Sequence, residues 1–564
     1  MQIHFRRLMI ICIVPAIFAS CAKTNTQGKL IPKEAAFVIT MDGKSLSAKL
    51  PWDEIKKNPL FKEINDDSSL PAALKSLLDN PETSGVNTET DLLFFVVKDS
   101  IGGYIGFEGT VKDETIFKAF NKQIAGSGVE SEKDDVQFIS KFPVCVGWTK
   151  EKFVYVFDVP QLYQTDELTK RMIRDSISVN KVRARDIGAA CKAVFALKES
   201  NSLGKDERFT GLMKETGDVH FWVNAEQIIK GGSTNTSFAM IDLDKFYEGS
   251  VTTATMNFED GRMMVNAKTY ALGKIIDIFK KYSGAKVNEE MIKRMPGKDI
   301  AGVMALGFKP EALRELIQLT GLEGLLNLNN IGFSFDDLIK ANKGDILVGV
   351  SDVALKPDTT AKFMDQDDNM PGMKRPEFNF IFAASIGNKE SFNKLINAGE
   401  KLGHQFYGDK KPFSFSSSSD WFALSNNKQS VDQFLAPANT NFDFINKISG
   451  EPFGGYLDIQ TVLKAFKAEA TKDSSAKIAY EATLNMWSNI IWKGGNYSDG
   501  GISHTVEINL VDKSTNSLKQ LNQYAAKLSE LYKELRRKQK QEVMAFQDFQ
   551  SAEDTTATRS GKTK

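Results

Sequence analysis

The chain has 564 residues, of which 41% are hydrophobic and 26% charged, with 72 Lys and Arg against 72 Asp and Glu. These proportions are ordinary for a folded protein and exclude wholesale disorder, a collagen-like repeat and a multi-span membrane protein. The length predicts about three domains or two large ones. The charge balance gives no net attraction to nucleic acid, and four His and four Cys leave little material for metal sites.

The first twenty residues have the pattern of a secretory signal. Arg6 and Arg7 precede an apolar run over residues 8–19, which is shorter than the roughly 20 residues that a membrane-spanning helix needs. The run ends in Phe18-Ala19-Ser20-Cys21, which resembles the lipobox of bacterial lipoproteins, although Phe stands where Leu is commoner. The alternative is an ordinary cleaved signal that is followed by a chance cysteine.

The lipobox resemblance implies that residues 1–20 are a lipoprotein signal peptide and that Cys21 is lipidated as the new N-terminus. The acyl chains would hold the protein to the membrane without spanning it, and residues 21–29 would form a polar tether. Ala22 and Lys23 do not supply the Asp that resembles an inner-membrane retention signal. We therefore expect an outer-membrane lipoprotein of the cell envelope that faces the periplasm.

Two cysteines remain in the body of the mature chain once Cys12 leaves with the signal and Cys21 is lipidated. Export permits a disulfide between Cys145 and Cys191, but neither residue lies in a disulfide-dense pattern. The sequence leaves both a bridge and two buried thiols open. The remaining histidines are dispersed without ligand spacing, so we predict no metal site and no cofactor.

Six segments recur in the same order along the chain, at offsets of roughly 235–275 residues. The matched pairs begin at Ile31 and Met295, Asp91 and Asp345, Val111 and Ile386, Phe153 and Trp421, Phe221 and Gly455, and Asn257 and Asn496. The shared order predicts an ancient duplication, with repeat 1 over residues 30–283, a charged linker over 284–294 and repeat 2 over 295–528.

Strand patterns alternate with helical patterns inside each repeat. Asp260-Gly261 and Asp499-Gly500 each separate two apolar alternating runs, which is a strong signal for an antiparallel hairpin. The predicted fold class is therefore α+β, with a largely antiparallel sheet and helices on one face in each repeat. Leu and Tyr at 4-3 spacing predict a C-terminal helix that extends over residues 529–550, and residues 551–564 have the composition of a disordered tail.

Repeat 2 carries a polar insertion over residues 354–377. Within it, Asp365, Asp367 and Asn369 place oxygen ligands at alternate positions, as a calcium loop does. Met370 stands where such a loop needs Gly, and Pro376 stands where it needs the bidentate Glu. A solvated acidic loop is the alternative, and we assign no metal to these residues.

No serine-hydrolase elbow, P-loop, HExxH motif or paired CxxC motif occurs in the sequence. The run from Ser416 to Ser419 lies beside a predicted strand with no nearby base, which favours a turn or strand edge over a nucleophile. Trp52, Trp148 and Trp487 are either glycan platforms or core residues. The pattern favours a non-enzymatic binding or scaffolding protein. The alternatives are a carboxylate-dependent envelope hydrolase and a structural spacer.

The opening of the mature chain also carries a family resemblance. Cys21 in its lipobox, the Ile31-Pro32-Lys33 opening, residues 37–46 and the overall length resemble a family of uncharacterised Bacteroidetes lipoproteins, known only as a domain of unknown function. The resemblance implies no activity and no catalytic residue. Besides the membrane held by the lipid, we expect an envelope protein or a glycan as partner, bound in a cleft between the repeats, and no nucleic acid.

Overall fold

The structure is a computed structural model that describes residues 27–66, 72–99, 102–159, 185–229, 247–271, 273–320, 332–357, 374–408, 412–437 and 440–560. Cys21 and the loop with Asp365, Asp367 and Asn369 lie outside the described residues. The chain forms two compact units. Unit 1 comprises Met1–Lys44, Pro71–Thr234 and Gly249–Thr255, and unit 2 comprises Ser45–Leu70, Asn235–Glu248 and Met256–Lys564.

The described part of the chain holds 18 strands and 18 α-helices. The strands are β1 Phe37–Asp42, β2 Asp91–Asp99, β3 Gly102–Thr110, β4 Val129–Lys133, β5 Val136–Lys141, β6 Val144–Trp148, β7 Lys152–Asp158, β8 Val219–Asn224, β9 Val251–Glu259, β10 Arg262–Tyr270, β11 Ile300–Gly307, β12 Asn342–Pro357, β13 Lys374–Ile386, β14 Ser414–Ser417, β15 Trp421–Ser425, β16 Phe453–Asp458, β17 Trp487–Ser498 and β18 Gly501–Leu510. The helices are α1 Gly43–Lys49, α2 Trp52–Lys56, α3 Pro59–Asn65, α4 Ala72–Asp79, α5 Glu114–Ala125, α6 Ile187–Phe195, α7 Glu207–Leu212, α8 Ala225–Ile229, α9 Lys274–Lys281, α10 Glu289–Ile292, α11 Pro310–Thr320, α12 Phe335–Ala341, α13 Lys389–Tyr407, α14 Lys428–Leu435, α15 Ile445–Ile448, α16 Ile459–Ala470, α17 Ser474–Met486 and α18 Ser517–Ser560.

Unit 1 contains an antiparallel sheet with the strand order β4-β5-β6-β7-β3-β2-β1-β8. Its strands are rich in aromatic and β-branched residues, which suit a pleated surface that is buried on one face. Val38 on β1 and Phe95 on β2 are directly opposite each other in the register and are buried in one hydrophobic core. Helices α6 and α7 cover this core with Val194 and Phe209.

Unit 2 contains an antiparallel sheet with the strand order β14-β15-β13-β12-β11-β16-β17-β18-β10. Its main core joins apolar residues of the central strands to those of α10, α14 and α15, including Leu347, Phe434 and Ile448. The strand pairs of these two strand orders are antiparallel, so the predicted mixture of helices and largely antiparallel sheet is confirmed.

Local sequence signals account for many element boundaries. Asp113, Asp186 and Asn388 each accept a hydrogen bond from a backbone N–H in the first turn of the helix that follows, which satisfies a donor without an intrahelical partner. The Asp499-Gly500 turn connects β17 to β18 with positive φ angles of 46° and 81°, as a two-residue hairpin of type I′ requires.

Helix α18 runs from Ser517 to Ser560. It therefore includes residues 551–560, for which the composition predicts a disordered tail. No Pro or Gly interrupts the helix over this length, so nothing in the backbone forces it to end earlier. Among the described helices, none combines the length and the apolar character that crossing a membrane would need.

Candidate binding pocket

An apolar pocket of about 240 Å³ lies in unit 2, between helix α13 and the β14–β15 hairpin. Most of its lining is aliphatic, aromatic or glycine. The lining residues are Leu395, Ile396, Gly399, Glu400, Gly403, His404 and Gly408 on and after α13, Pro412, Phe413 and Phe415 before and on β14, and Phe422 and Leu424 on β15. Cavities of this kind, apolar with a few polar groups, are typical of binding sites.

Two glycines on the apolar face of α13 keep the pocket open. Leu395, Ile396, Gly399 and Gly403 follow the spacing that places residues on one side of a helix. A Cβ atom added at Gly399 or Gly403 would meet no atom within 4 Å. The space opposite the strands therefore exists because the helix presents no side chain at these two positions.

Phe422 forms the floor of the pocket. Its side chain is 7% exposed, and its ring centroid lies 5.3 Å from that of Phe392 and 6.1 Å from that of Phe415. By contrast, Phe413 and Phe415 are 42% and 41% exposed. Because they are two residues apart on an extended chain, they point to the same side of it. The pocket thus has a buried aromatic floor and an exposed aromatic mouth.

Strand β14 lies at the edge of the sheet. Among the described residues it pairs with β15 alone, from Ser414 opposite Ser425 to Ser417 opposite Phe422. An edge strand offers backbone N–H and C=O groups to a further strand, and here it adjoins the apolar mouth. The serine-rich run thus belongs to a strand edge and the turn after it, where the Ser418 N–H donates to the Trp421 carbonyl.

Polar groups stand at one side of the pocket. Glu400 and His404 are exposed and lie one helical turn apart on α13. Among the described lining residues, Glu400 is the only carboxylate. The arrangement supplies one acid, one imidazole and a large apolar surface, which suits the binding of an apolar group with polar contacts at the rim.

Asp337 fastens helix α13 to helix α12. Its carboxylate accepts hydrogen bonds from Ser334 in a capping box, from the Ser391 hydroxyl at 2.9 Å and from the Lys394 ammonium at 3.1 Å. The bonds from Ser334, with those from Ser391 and Lys394, hold the pKa of Asp337 well below its usual range. The wall of the pocket is therefore held at its N-terminal end by an ionised group.

The structure brings Cys145 and Cys191 together in the core of unit 1. Both are 0% exposed and belong to the same hydrophobic core, where they are free thiols without a bond between the sulfurs. Trp148 is 1% exposed, so its interpretation as a glycan platform is wrong and it belongs to the core. No described group of three His, Cys, Asp or Glu residues could hold a metal ion.

The pocket is not predicted by the sequence pattern. The available signal was the Gly399 and Gly403 pair on the apolar face of a predicted helix, where a buried face would carry larger residues. The two glycines indicate only that the helix lacks side chains at these positions, not that a pocket lies beside it. The position of β14, which decides whether other side chains fill the space, depends on strand pairing that the sequence pattern does not specify.

Comparisons with known proteins give a family but no activity. The model of a domain of unknown function, DUF4836, matches residues 28–374, so the pocket lies after the matched part. No curated protein matches the chain. Three crystal forms of TP0453 are similar over part of the chain. Form IV has 9% sequence identity and a TM-score of 0.26, and the match covers 46% of this chain and 88% of TP0453. Form III has 7% identity, a TM-score of 0.24 and coverages of 47% and 91%, and form I has 10% identity, a TM-score of 0.21 and coverages of 44% and 78%. Likeness at these TM-scores supports no argument about fold or function.

Proposed function

The chain belongs to the DUF4836 family, a domain of unknown function, and from that premise we propose that it is a lipid-anchored, non-enzymatic binding protein of the bacterial cell envelope. Its partner is an envelope protein that places apolar side chains in the pocket beside α13. The observation that carries the binding role is the apolar pocket of about 240 Å³ with an exposed aromatic mouth next to an open strand edge.

The anchor is Cys21 after removal of residues 1–20. The support is the Arg6-Arg7 start, the short apolar run and the Phe18-Ala19-Ser20-Cys21 ending, together with the resemblance to Bacteroidetes lipoproteins. We assign the protein to the periplasmic face of the outer membrane. Cys21→Ser should abolish labelling by an alkyne fatty acid and release the protein from membranes, and continued membrane association would contradict the anchor.

The body of the protein arose by duplication. Two sequences of neighbouring strands support this proposal: β7-β3-β2-β1-β8 in unit 1 and β15-β13-β12-β11-β16 in unit 2. In unit 1, β3 precedes helix α5 and pairs with β7, which follows the helix, and in unit 2, β13 precedes helix α13 and pairs with β15, which follows it. Asp113 caps α5, and Asn388 caps α13. Shared strand order with shared capping is typical of repeats that descend from one ancestor.

The partner segment is extended and adds to the open edge of β14. Edge addition uses backbone hydrogen bonds for affinity and pockets for alternate side chains for specificity. An apolar cavity of about 150 Å³ can hold a benzene ring, so the larger cavity beside Phe415 and Phe422 has room for an aromatic or large aliphatic side chain. The apolar lining favours such a segment over a sugar at this site.

A crosslinking experiment in living cells tests this role. A benzophenone amino acid in place of Phe415 would be activated by light, and the attached species identified by mass spectrometry. We expect one envelope protein to be captured by the Gly403→Ala variant and lost in Gly403→Leu, because leucine fills the cavity and alanine does not. Capture that Gly403→Leu leaves unchanged would contradict the pocket, and capture of lipid alone would assign it to acyl chains.

A glycan partner has separate support from a second depression in unit 2. It measures about 520 Å³, lies between α17 and α18, and includes Asn485, Gln523 and Tyr524. Amide side chains can donate and accept hydrogen bonds, and the Tyr524 ring packs edge-on against Trp487 at 5.8 Å. If solubilised peptidoglycan fragments bind to the wild-type protein and not to the Tyr524→Ala variant, the result would favour a glycan partner. If they do not bind to the wild type, the result would contradict it.

A further inference from the structure

Cys145 and Cys191 meet across the interface between a strand and a helix in unit 1. Cys145 lies on β6 opposite Val156 of β7, and Cys191 lies on α6 with its sulfur 3.9 Å from the Val154 carbonyl oxygen of β7. Both side chains belong to the same core and are 0% exposed. Each thiol affects the pKa of the other, so the two side chains are neighbours in this core.

Helix α6 is held over the strands by charged groups at its start. The Arg185 guanidinium donates to Asp158 at 2.9 Å, where β7 ends, and to both oxygens of Asp99 at 2.5 and 2.9 Å, where β2 ends. The next residue, Asp186, caps the helix by accepting from the Ala189 N–H. A guanidinium that pairs with two carboxylates is held in a specific geometry. The contacts of Arg185 therefore fix the start of helix α6 on the strands, and with it the position of Cys191 on the same helix.

We propose that Cys145 and Cys191 are joined by a disulfide in the exported protein. The proposal rests on the envelope location given above, because that compartment is oxidising and the cytosol is not. One cysteine thiolate attacks a sulfur of an envelope disulfide oxidant, forming a mixed disulfide and releasing one oxidant thiol. The second cysteine thiolate then displaces the other oxidant thiol. The protein loses two electrons and two protons, and the oxidant disulfide is reduced to two thiols.

The burial of both sulfurs sets the time at which the bond forms. Since each side chain is 0% exposed in the folded unit, exchange with an oxidant occurs while the chain is folding and the core is still open. The finished bond links β6 to α6 and encloses the chain from 145 to 191. A cross-link over such a length restricts the unfolded chain and stabilises the folded one.

The first measurement counts alkylated thiols in the full-length protein recovered from cell envelopes. The protein is denatured and alkylated with iodoacetamide, either directly or after reduction. We expect reduction to add two alkyl groups per chain. That increment does not depend on the state of Cys21, because a lipidated cysteine is never labelled and a free one is labelled in both samples. An increment of zero overturns the proposal.

Peptide mapping locates the bond. Trypsin releases Cys145 in residues 142–150 and Cys191 in residues 186–192. We expect the two peptides to appear as one linked species before reduction and as two afterwards, and to be unlinked in Cys145→Ser. A chain that carries the acyl group and sits in the envelope, yet yields both peptides alkylated without reduction, overturns the disulfide and leaves the proposed function standing. A reduced chain without the acyl group overturns both.

A stability comparison distinguishes a bond from mere proximity. We expect dithiothreitol to lower the melting temperature of the wild-type protein and to leave that of the Cys145→Ala/Cys191→Ala double variant unchanged. The double variant keeps a filled core apart from two small sulfur atoms, so it should still fold. Equal melting temperatures of the wild type with and without reductant would contradict a structural disulfide.

Discussion

In unit 1, helix α5 packs on its sheet through Phe117, whose ring lies 5.0 Å from that of Phe153 and 5.8 Å from that of Trp148. In unit 2, helix α13 presents Gly399 and Gly403 to its sheet, and a cavity of about 240 Å³ remains. The two helices have equivalent places in the chain: α5 lies between the paired strands β3 and β7, and α13 lies between the paired strands β13 and β15. The size of the side chains, more than the strand order, therefore decides whether this place becomes a core or a pocket.

The largest expected effect is the loss of the aromatic core in unit 1. Phe117→Ala removes a ring that is 0% exposed and leaves a cavity among Trp148 and Phe153, so we expect the free energy of unfolding to fall by about 3–5 kcal/mol. Unfolding in guanidinium chloride measures it. The matched Phe415→Ala variant at the mouth of the pocket should cost less than about 1 kcal/mol. Equal costs would mean that the pocket is packed as tightly as the core.

A smaller effect is expected from the polar contact that fastens α5. The Tyr155 hydroxyl donates to the Asn121 side chain at 2.8 Å, and Asn121 is 3% exposed. Tyr155→Phe leaves the Asn121 oxygen buried without this donor, which should cost about 1–3 kcal/mol. Thermal unfolding would show the loss, with Tyr247→Phe at an exposed site as the control. A neutral Tyr155→Phe would show that water replaces the hydroxyl.

The pocket helix should gain stability from a small substitution. Gly403→Ala adds a methyl group where no atom lies within 4 Å, and alanine is favoured over glycine inside helices by about 1 kcal/mol. We therefore expect a rise in the free energy of unfolding of that size, measured in urea. Gly455→Ala is the contrasting variant, because its Cβ would lie 2.2 Å from the Trp492 ring and should destabilise the protein. A loss of stability in Gly403→Ala would mean that the space is already occupied.

The smallest expected effect is the contribution of Asp337 to the loss of stability at acidic pH. Because the pKa of Asp337 is lowered in the folded protein by bonds from Ser334, Ser391 and Lys394, its ionised form stabilises the fold above the unfolded pKa of about 3.9. That stabilisation is lost as the pH falls further towards the folded pKa. We expect stability between pH 5 and pH 2 to fall more steeply in the wild type than in Asp337→Asn. Parallel curves would contradict the role of Asp337 in fastening α13.

Element types are predicted well from this sequence because local patterns specify them. The apolar run at Phe153–Val156 lies in β7, and the polar turn before Glu114 is a helix cap, since period and capping act over a few residues. Local patterns did not predict the pocket or the proximity of Cys145 and Cys191. Each depends on how a helix packs on strands distant in sequence, which is set by the whole core.

Strand β10 belongs to the first predicted repeat by sequence, but it pairs with β18 over eight residues, from Arg262 opposite Asn509 to Thr269 opposite Ile502, and lies in unit 2. Cutting the chain in the predicted linker at 284–294 would therefore separate β10 from β18 and leave each of the two strands with an unpaired edge, although β18 would keep its pairing with β17. Exposed strand edges promote aggregation. Neither predicted repeat could therefore be expressed as a separate domain without the loss of this strand pairing.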